Sequence, residues 1–166
     1  MRRLPPLLVC VLAASAFPQA PAPPALSGHL SAWTQDCDGD CSPPRADGRG
    51  GPVSLVIAVP TKPGEASTAG FDRELSLPDA GAVLRAKVSF YSVCPRGAQG
   101  GPGGDPCPSR YLQVQVVLSG DARAFCGASL DWADAYPFPV VMCAGEDSRR
   151  PGRRLGVTLS REAPAL

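Results

Sequence analysis

Apolar and polar side chains alternate with period two over the stretch Ala82 to Leu118, and the chain is organised around it. Leu84, Ala86, Val88, Phe90 and Ser92 fall on one side of an extended backbone, and Val83, Arg85, Lys87, Ser89 and Tyr91 on the other. The pattern returns with Leu112, Val114, Val116 and Leu118 against Tyr111, Gln113, Gln115 and Val117. Alternation in β-branched and aromatic residues predicts two strands. Between them lie Pro95, Gly97, Gly100, Gly101, Pro102, Gly103, Gly104, Pro106 and Pro108, a composition that excludes helix and predicts a surface loop. Cys94 and Cys107 stand at its two ends.

The rest of the chain reads as shorter segments of the same kind. Arg45 to Gly51 is expected to be loop, and Val53 to Val59 a strand ended by Pro60, its nearly continuous apolar run suggesting a central position. Lys62 to Gly70 reads as loop, Arg73 to Leu77 as a short strand, and Pro78 to Gly81 as a turn. Ala122 to Cys126 begins another strand, and Ser129 to Ala135 forms a helical turn with Ser129 as its N-cap. Val140 to Cys143 is a short strand, Glu146 to Arg154 a polar loop, and Leu155 to Ser160 the last strand. Many short strands and little helical periodicity predict an all-β, disulfide-stapled antiparallel β-sandwich, one domain over residues 36–166.

The N-terminus changes the expected compartment. Arg2 and Arg3 precede the apolar run Leu7 to Ala14 and the small residues Ala14-Ser15-Ala16. This is the pattern of a signal peptide over residues 1–16, cleaved after Ala16, with Ala20 as second choice. The apolar run is too short to cross a bilayer, and no later run approaches 18 residues. The expected product is secreted and extracellular, with no membrane span and a flexible Pro/Ala-rich lead-in over residues 17–35. The formal charge of +1 gives no electrostatic case for nucleic acid. There is no Asn, a single Ile, and two Lys against fourteen Arg, the signature of a GC-rich genome. Without Asn there is no N-glycosylation acceptor.

Past the leader, six cysteines remain: Cys37, Cys41, Cys94, Cys107, Cys126 and Cys143. An even number in an exported chain predicts disulfides, with 15 pairings open. Cys94–Cys107 would close the central hairpin, while a competing framework pairs each with Cys126, Cys143 or the N-terminal pair. Zinc is disfavoured, because no Cys-x-x-Cys is present and His29 is the only histidine. Asp36, Asp38, Asp40 and Asp47 sit at offsets 1, 3, 5 and 12 of a calcium loop. Cys41 replaces the required glycine and Pro43-Pro44 blocks the exit, so a solvated acidic turn is the stronger reading and no metal is expected. Nucleophilic catalysis needs a histidine beside the nucleophile, and His29 falls in the lead-in. No phosphate-cradling motif is present. The expectation is a protein without catalytic residues or cofactor. One loop concentrates charge: Arg149, Arg150, Arg153 and Arg154 flank Pro151-Gly152, and four guanidinium groups together suit sulfated glycosaminoglycans.

Leu84-Arg85-Ala86-Lys87-Val88-Ser89-Phe90-Tyr91-Ser92-Val93-Cys94-Pro95, preceded by a Cys-bearing acidic segment and a strand like Val53 to Val59, resembles the secreted chemokine- and cytokine-binding proteins of poxviruses, parapoxviruses in particular. The resemblance covers Asp36 to Leu118. It implies a two-sheet, disulfide-stapled sandwich that sequesters a host chemokine or cytokine for immune evasion, in some members with glycosaminoglycan binding. No ligand-contact residue is carried over from that family. The alternative is a generic extracellular interaction or structural β-domain with glycosaminoglycan binding.

Overall fold

The structure, a computed structural model, describes residues 25–96, 104, 107, 110–131 and 140–161. Among these are eight strands: β1 Ala25–Asp36, β2 Arg45–Val56, β3 Ala66–Leu77, β4 Ala82–Val93, β5 Tyr111–Gly120, β6 Ala124–Asp131, β7 Val141–Glu146 and β8 Arg153–Ser160. They form two four-stranded sheets, ordered β2-β1-β8-β7 and β3-β4-β5-β6, and every pair is antiparallel. The two sheets enclose one core, so the chain is the expected stapled β-sandwich.

Alternation on the central strands builds that core. The β4 residues Leu84, Ala86, Val88 and Phe90 and the β5 residues Leu112, Val114, Val116 and Leu118 all point inward and are buried. Leu30, Leu155, Val157 and Leu159 meet them from the facing sheet. Each large side chain so buried stabilises the fold by roughly 1.5–3 kcal/mol. The Ser92 hydroxyl lies among them, fully buried and without a hydrogen-bond partner among the described residues.

The three disulfides are Cys37–Cys41, Cys94–Cys107 and Cys126–Cys143. Cys94–Cys107 closes the central hairpin, one of the two frameworks left open by spacing. Cys126–Cys143 joins β6 to β7, covalently linking the two sheets along one side. The opposite side is closed without a bond. There the Arg73 guanidinium of β3 donates to the Gly50 and Pro52 carbonyls of β2 and lies 5.9 Å from the Phe71 ring centroid.

Several expectations are corrected. The lead-in was expected to run to residue 35, yet β1 occupies the second position of its sheet from residue 25 onward. Its inward positions include Gly28, Ala32 and Thr34, too small or polar to advertise a strand, and its Trp33 covers Gly156 of β8 so closely that a Cβ there would collide with the ring. Trp33 Nε1 also donates to Thr158 Oγ1 at 3.0 Å. His29 therefore lies within a sheet, between Pro52 and Ser160, and not in a linker. The leader and residues 17–24 lie outside the described residues. Residues 45–51, expected as loop, begin β2. Their glycines allow close approach: a Cβ on Gly48 would lie 2.6 Å from the Ser76 carbonyl oxygen. β2 is also an edge strand, not a central one, with Val56 57% exposed, as its Pro52 requires. The continuing apolar run is explained by Ile57, buried just past the strand end. β3 starts at Ala66, within the expected loop. Ser129 is not a helix cap but part of β6, paired with Gln113; Trp132 to Ala135 and the loop glycines 97–103 lie outside the described residues.

Non-reducing peptide mapping should recover these three bridges. Removing the 17-residue Cys126–Cys143 link should cost about 3 kcal/mol and removing the four-residue Cys37–Cys41 link about 2 kcal/mol in the chain-entropy model, read from denaturant midpoints. Ser92→Ala should leave stability unchanged or raise it, because it removes a desolvated hydroxyl that has no bond to lose.

Candidate functional site

The four connections β1–β2, β3–β4, β5–β6 and β7–β8 lie at one end of the sandwich. Turns of opposite sheets are held together there by carboxylates. Asp47, buried, accepts the main-chain N–H groups of Asp79 at 2.7 Å and Ala80 at 2.9 Å. Asp121 accepts from Val83 N at 2.8 Å and pairs with Arg149 Nε at 2.9 Å. Arg149 in turn donates to the Gly81 carbonyl at 2.7 Å. Asp36 pairs with Arg45 at 3.0 Å and faces Arg150 at 3.7 Å.

The innermost group is Asp147, whose side chain is fully buried. It accepts from Arg149 N at 2.8 Å and Arg153 Nε at 2.6 Å, and Arg153 itself is 11% exposed. Arg153 also reaches the Ala80 carbonyl of the other sheet at 3.0 Å. Burial pushes the Asp147 carboxyl up, but the Arg149 amide, the Arg153 guanidinium and the Arg150 amide together hold it below the usual carboxylate range.

This geometry disperses the four arginines that the sequence groups together. Arg153 is a largely buried structural cation, paired with Asp147, and Arg149 is engaged with Asp121 and Gly81. Arg150 leans on Asp36, and Arg154 projects outward from β8 opposite Gln35 and Glu146. The loop does not present four unengaged guanidinium groups, and replacing all four cannot leave folding intact. The calcium pattern is dispersed too, because Asp36 turns to arginines and Asp47 to the β3–β4 turn. Among the described residues no cluster of three or more His, Cys, Asp or Glu is placed to hold a metal.

The outward face of the second sheet is chemically different. Its cross-strand rows run Asp72–Lys87–Val117–Phe125, Gly70–Ser89–Gln115–Gly127 and Thr68–Tyr91–Gln113–Ser129. Charge sits toward β3, where Arg85 Nε meets Asp72 at 2.9 Å. Amides, hydroxyls, Tyr91 and Tyr111 occupy the middle, and Val117 and Phe125 stand exposed toward β6. Over the two glycines the face dips into shallow hollows, one lined by Gln113, Gln115, Phe125, Gly127 and Ser129, the other by Thr68, Gly70, Ser89 and Tyr91. Alternation places all these side chains outward, and Val117 and the tyrosines were visible in the sequence as the non-core parity. Their joint role was not, because Phe125 joins them only through the β5–β6 register.

Comparison with family models, with curated proteins and with solved structures finds no match to this chain.

Arg153→Ala should destabilise the fold by about 3–5 kcal/mol, the cost of leaving a buried carboxylate unpaired. Arg154→Ala should stay within about 0.5 kcal/mol. The Asp147 pKa is lower in the folded state than the roughly 3.9 of an unfolded carboxyl. Its contribution is therefore complete above that pH and declines as pH falls through the folded value. Acid titration of stability should show this loss, and Asp147→Asn should remove it.

Proposed function

We propose that this chain is a secreted, non-catalytic binding protein, an immune modulator that occupies a host chemokine or cytokine through the outward face of β4 and β5. The observation that carries the reading is that face itself. Tyr91, Tyr111, Gln113, Gln115 and Val117 stand outward on a sheet held rigid by core packing, the hairpin disulfide and the turn network. Strand spacing and rise give the four-stranded face roughly 650 Å². That approaches the roughly 800 Å² each partner contributes to a standard interface. Tyrosine and amide side chains beside exposed apolar ones are the composition of protein-recognition surfaces.

The resemblance of Leu84 to Pro95 to the poxvirus binding proteins supplies the partner class. The face is close to electroneutral, with Asp72 and Glu74 offsetting Arg85 and Lys87. Attraction of a strongly basic partner by an acidic field therefore plays little part, and shape and apolar contact carry the affinity.

The test is surface plasmon resonance of the secreted protein against a panel of host chemokines and cytokines. At least one specific ligand is expected. Val117→Asp, which puts a charge into the apolar part of the face beside Phe125, should weaken it at least about 30-fold, as loss of a 2 kcal/mol hot spot does. Arg154→Ala should not change it. No ligand across the panel, or one indifferent to Val117→Asp, would overturn the reading.

A further inference from the structure

The four edge strands are not protected alike. Free edges invite pairing with other chains, and proteins blunt them with proline, charge, bulges or short length. β2 carries Pro52, two register shifts against β1, and the Arg73 guanidinium on its carbonyls. β3 presents Asp72 and Glu74. β7 is six residues long. β6 carries a charge only at its last residue, Asp131: from Ala124 to Leu130 it contains neither a proline nor a charge. Its described pairing is with β5 alone. Phe125, Gly127 and Ser129 are exposed, and even the inward-pointing Ala124, Cys126 and Ala128 are only half-buried.

A knob and a hole stand two residues apart on this strand. Phe125 is 68% exposed. Gly127 floors a hollow of about 280 Å³ beside it. A cavity of roughly 150 Å³ already takes up a benzene ring. The Cys126–Cys143 bridge lies on the inner side of the strand, so ring and hollow remain clear of it.

We infer that two copies of this chain pair β6 to β6 antiparallel, Phe125 of each copy lying opposite the partner's Gly127. An antiparallel pair of identical strands is two-fold symmetric, so seating one ring seats the other. The axis passes at Cys126. An aromatic ring over a cross-strand glycine supplies the packing that the glycine lacks. The product is one continuous eight-stranded sheet whose outward face carries two copies of the surface described above. A multivalent partner would be held by both copies at once, with avidity above either single contact.

The test is sedimentation velocity of the disulfide-intact protein over a wide concentration range, with hydrogen exchange of the amides of residues 124–128. Wild type should show a monomer–dimer equilibrium, and the alternate amides among them that point away from β5 should gain protection as the dimer forms. Phe125→Ala removes the knob and Gly127→Val fills the hole. Each should raise the dimer Kd at least tenfold with an unchanged monomer melting midpoint, because a Cβ on Gly127 meets nothing closer than the Val114 carbonyl oxygen at 3.4 Å. The exchange F125G/G127F places ring opposite glycine again and should restore the dimer. A protein monomeric at every concentration would overturn the inference. So would a dimer that survives both single substitutions, or one that leaves amides 124–128 unprotected. Should the exchanged variant not fold, the single substitutions and the amide protection decide the matter alone.

Discussion

The buried carboxylate of Asp147 is the constraint on which the turn end of this sandwich depends. A charge removed from water must be met by hydrogen bonds and an opposite charge, or the fold loses several kcal/mol. The Arg153 guanidinium and the Arg149 amide meet it, and both come from its own turn. Once Arg153 is fixed there, another of its N–H groups reaches Ala80 of the facing sheet. Arg149 extends the arrangement to Gly81 and Asp121, and Asp121 to Val83. The satisfaction of one acid thus places turns of both sheets against one another. The exposed ion pair of Asp36 with Arg45 adds little by comparison, since such pairs contribute about 0–1 kcal/mol.

The two long sides of the sandwich are closed by different physics. The Cys126–Cys143 bridge acts chiefly by restricting the unfolded chain. Arg73 acts only in the folded state, where it satisfies two β2 carbonyls that an edge strand would otherwise leave to water. These closures also account for the edges. Where Arg73 and Pro52 occupy the β2 edge, pairing with another chain is discouraged. Where the sheets are joined by a disulfide turned inward, no described strand pairs with the outer side of β6.

What was legible in the sequence follows from how much each element depends on local pattern. The β4–β5 hairpin alternates cleanly because one face is buried and the other wet, so its strands and the position of Cys94 and Cys107 at their ends could be read directly. β1 was not legible. It lies between two strands and is covered on its outer side by its own Trp33, so beside Leu26 and Leu30 its inward positions are glycine, alanine and threonine, and the contrast is weak. β2 was half legible, because its glycines carry no hydrophobic signal and their function is close approach to the β3 and β1 backbones. Register was the larger omission. Nothing local tells that Phe125 stands beside Val117, or that Gly127 stands beside Gln115.

The arginines show the same limit from the opposite direction. Arg149, Arg150, Arg153 and Arg154 are adjacent in sequence, and adjacency suggests a common surface. Yet β8 begins at Arg153, and its first two residues point to opposite faces, as successive residues of a strand must. One is drawn inward to Asp147 and its neighbour outward. A charge cluster that straddles the start of a strand is thereby divided between structure and surface. Here Asp147, Asp121 and Asp36 compensate Arg153, Arg149 and Arg150, while on the outward face of the other sheet Asp72 and Glu74 offset Arg85 and Lys87. The recognition proposed above would then rest on aromatic, amide and main-chain groups, whose contacts depend on fit, in place of a field that salt would screen within about 8 Å.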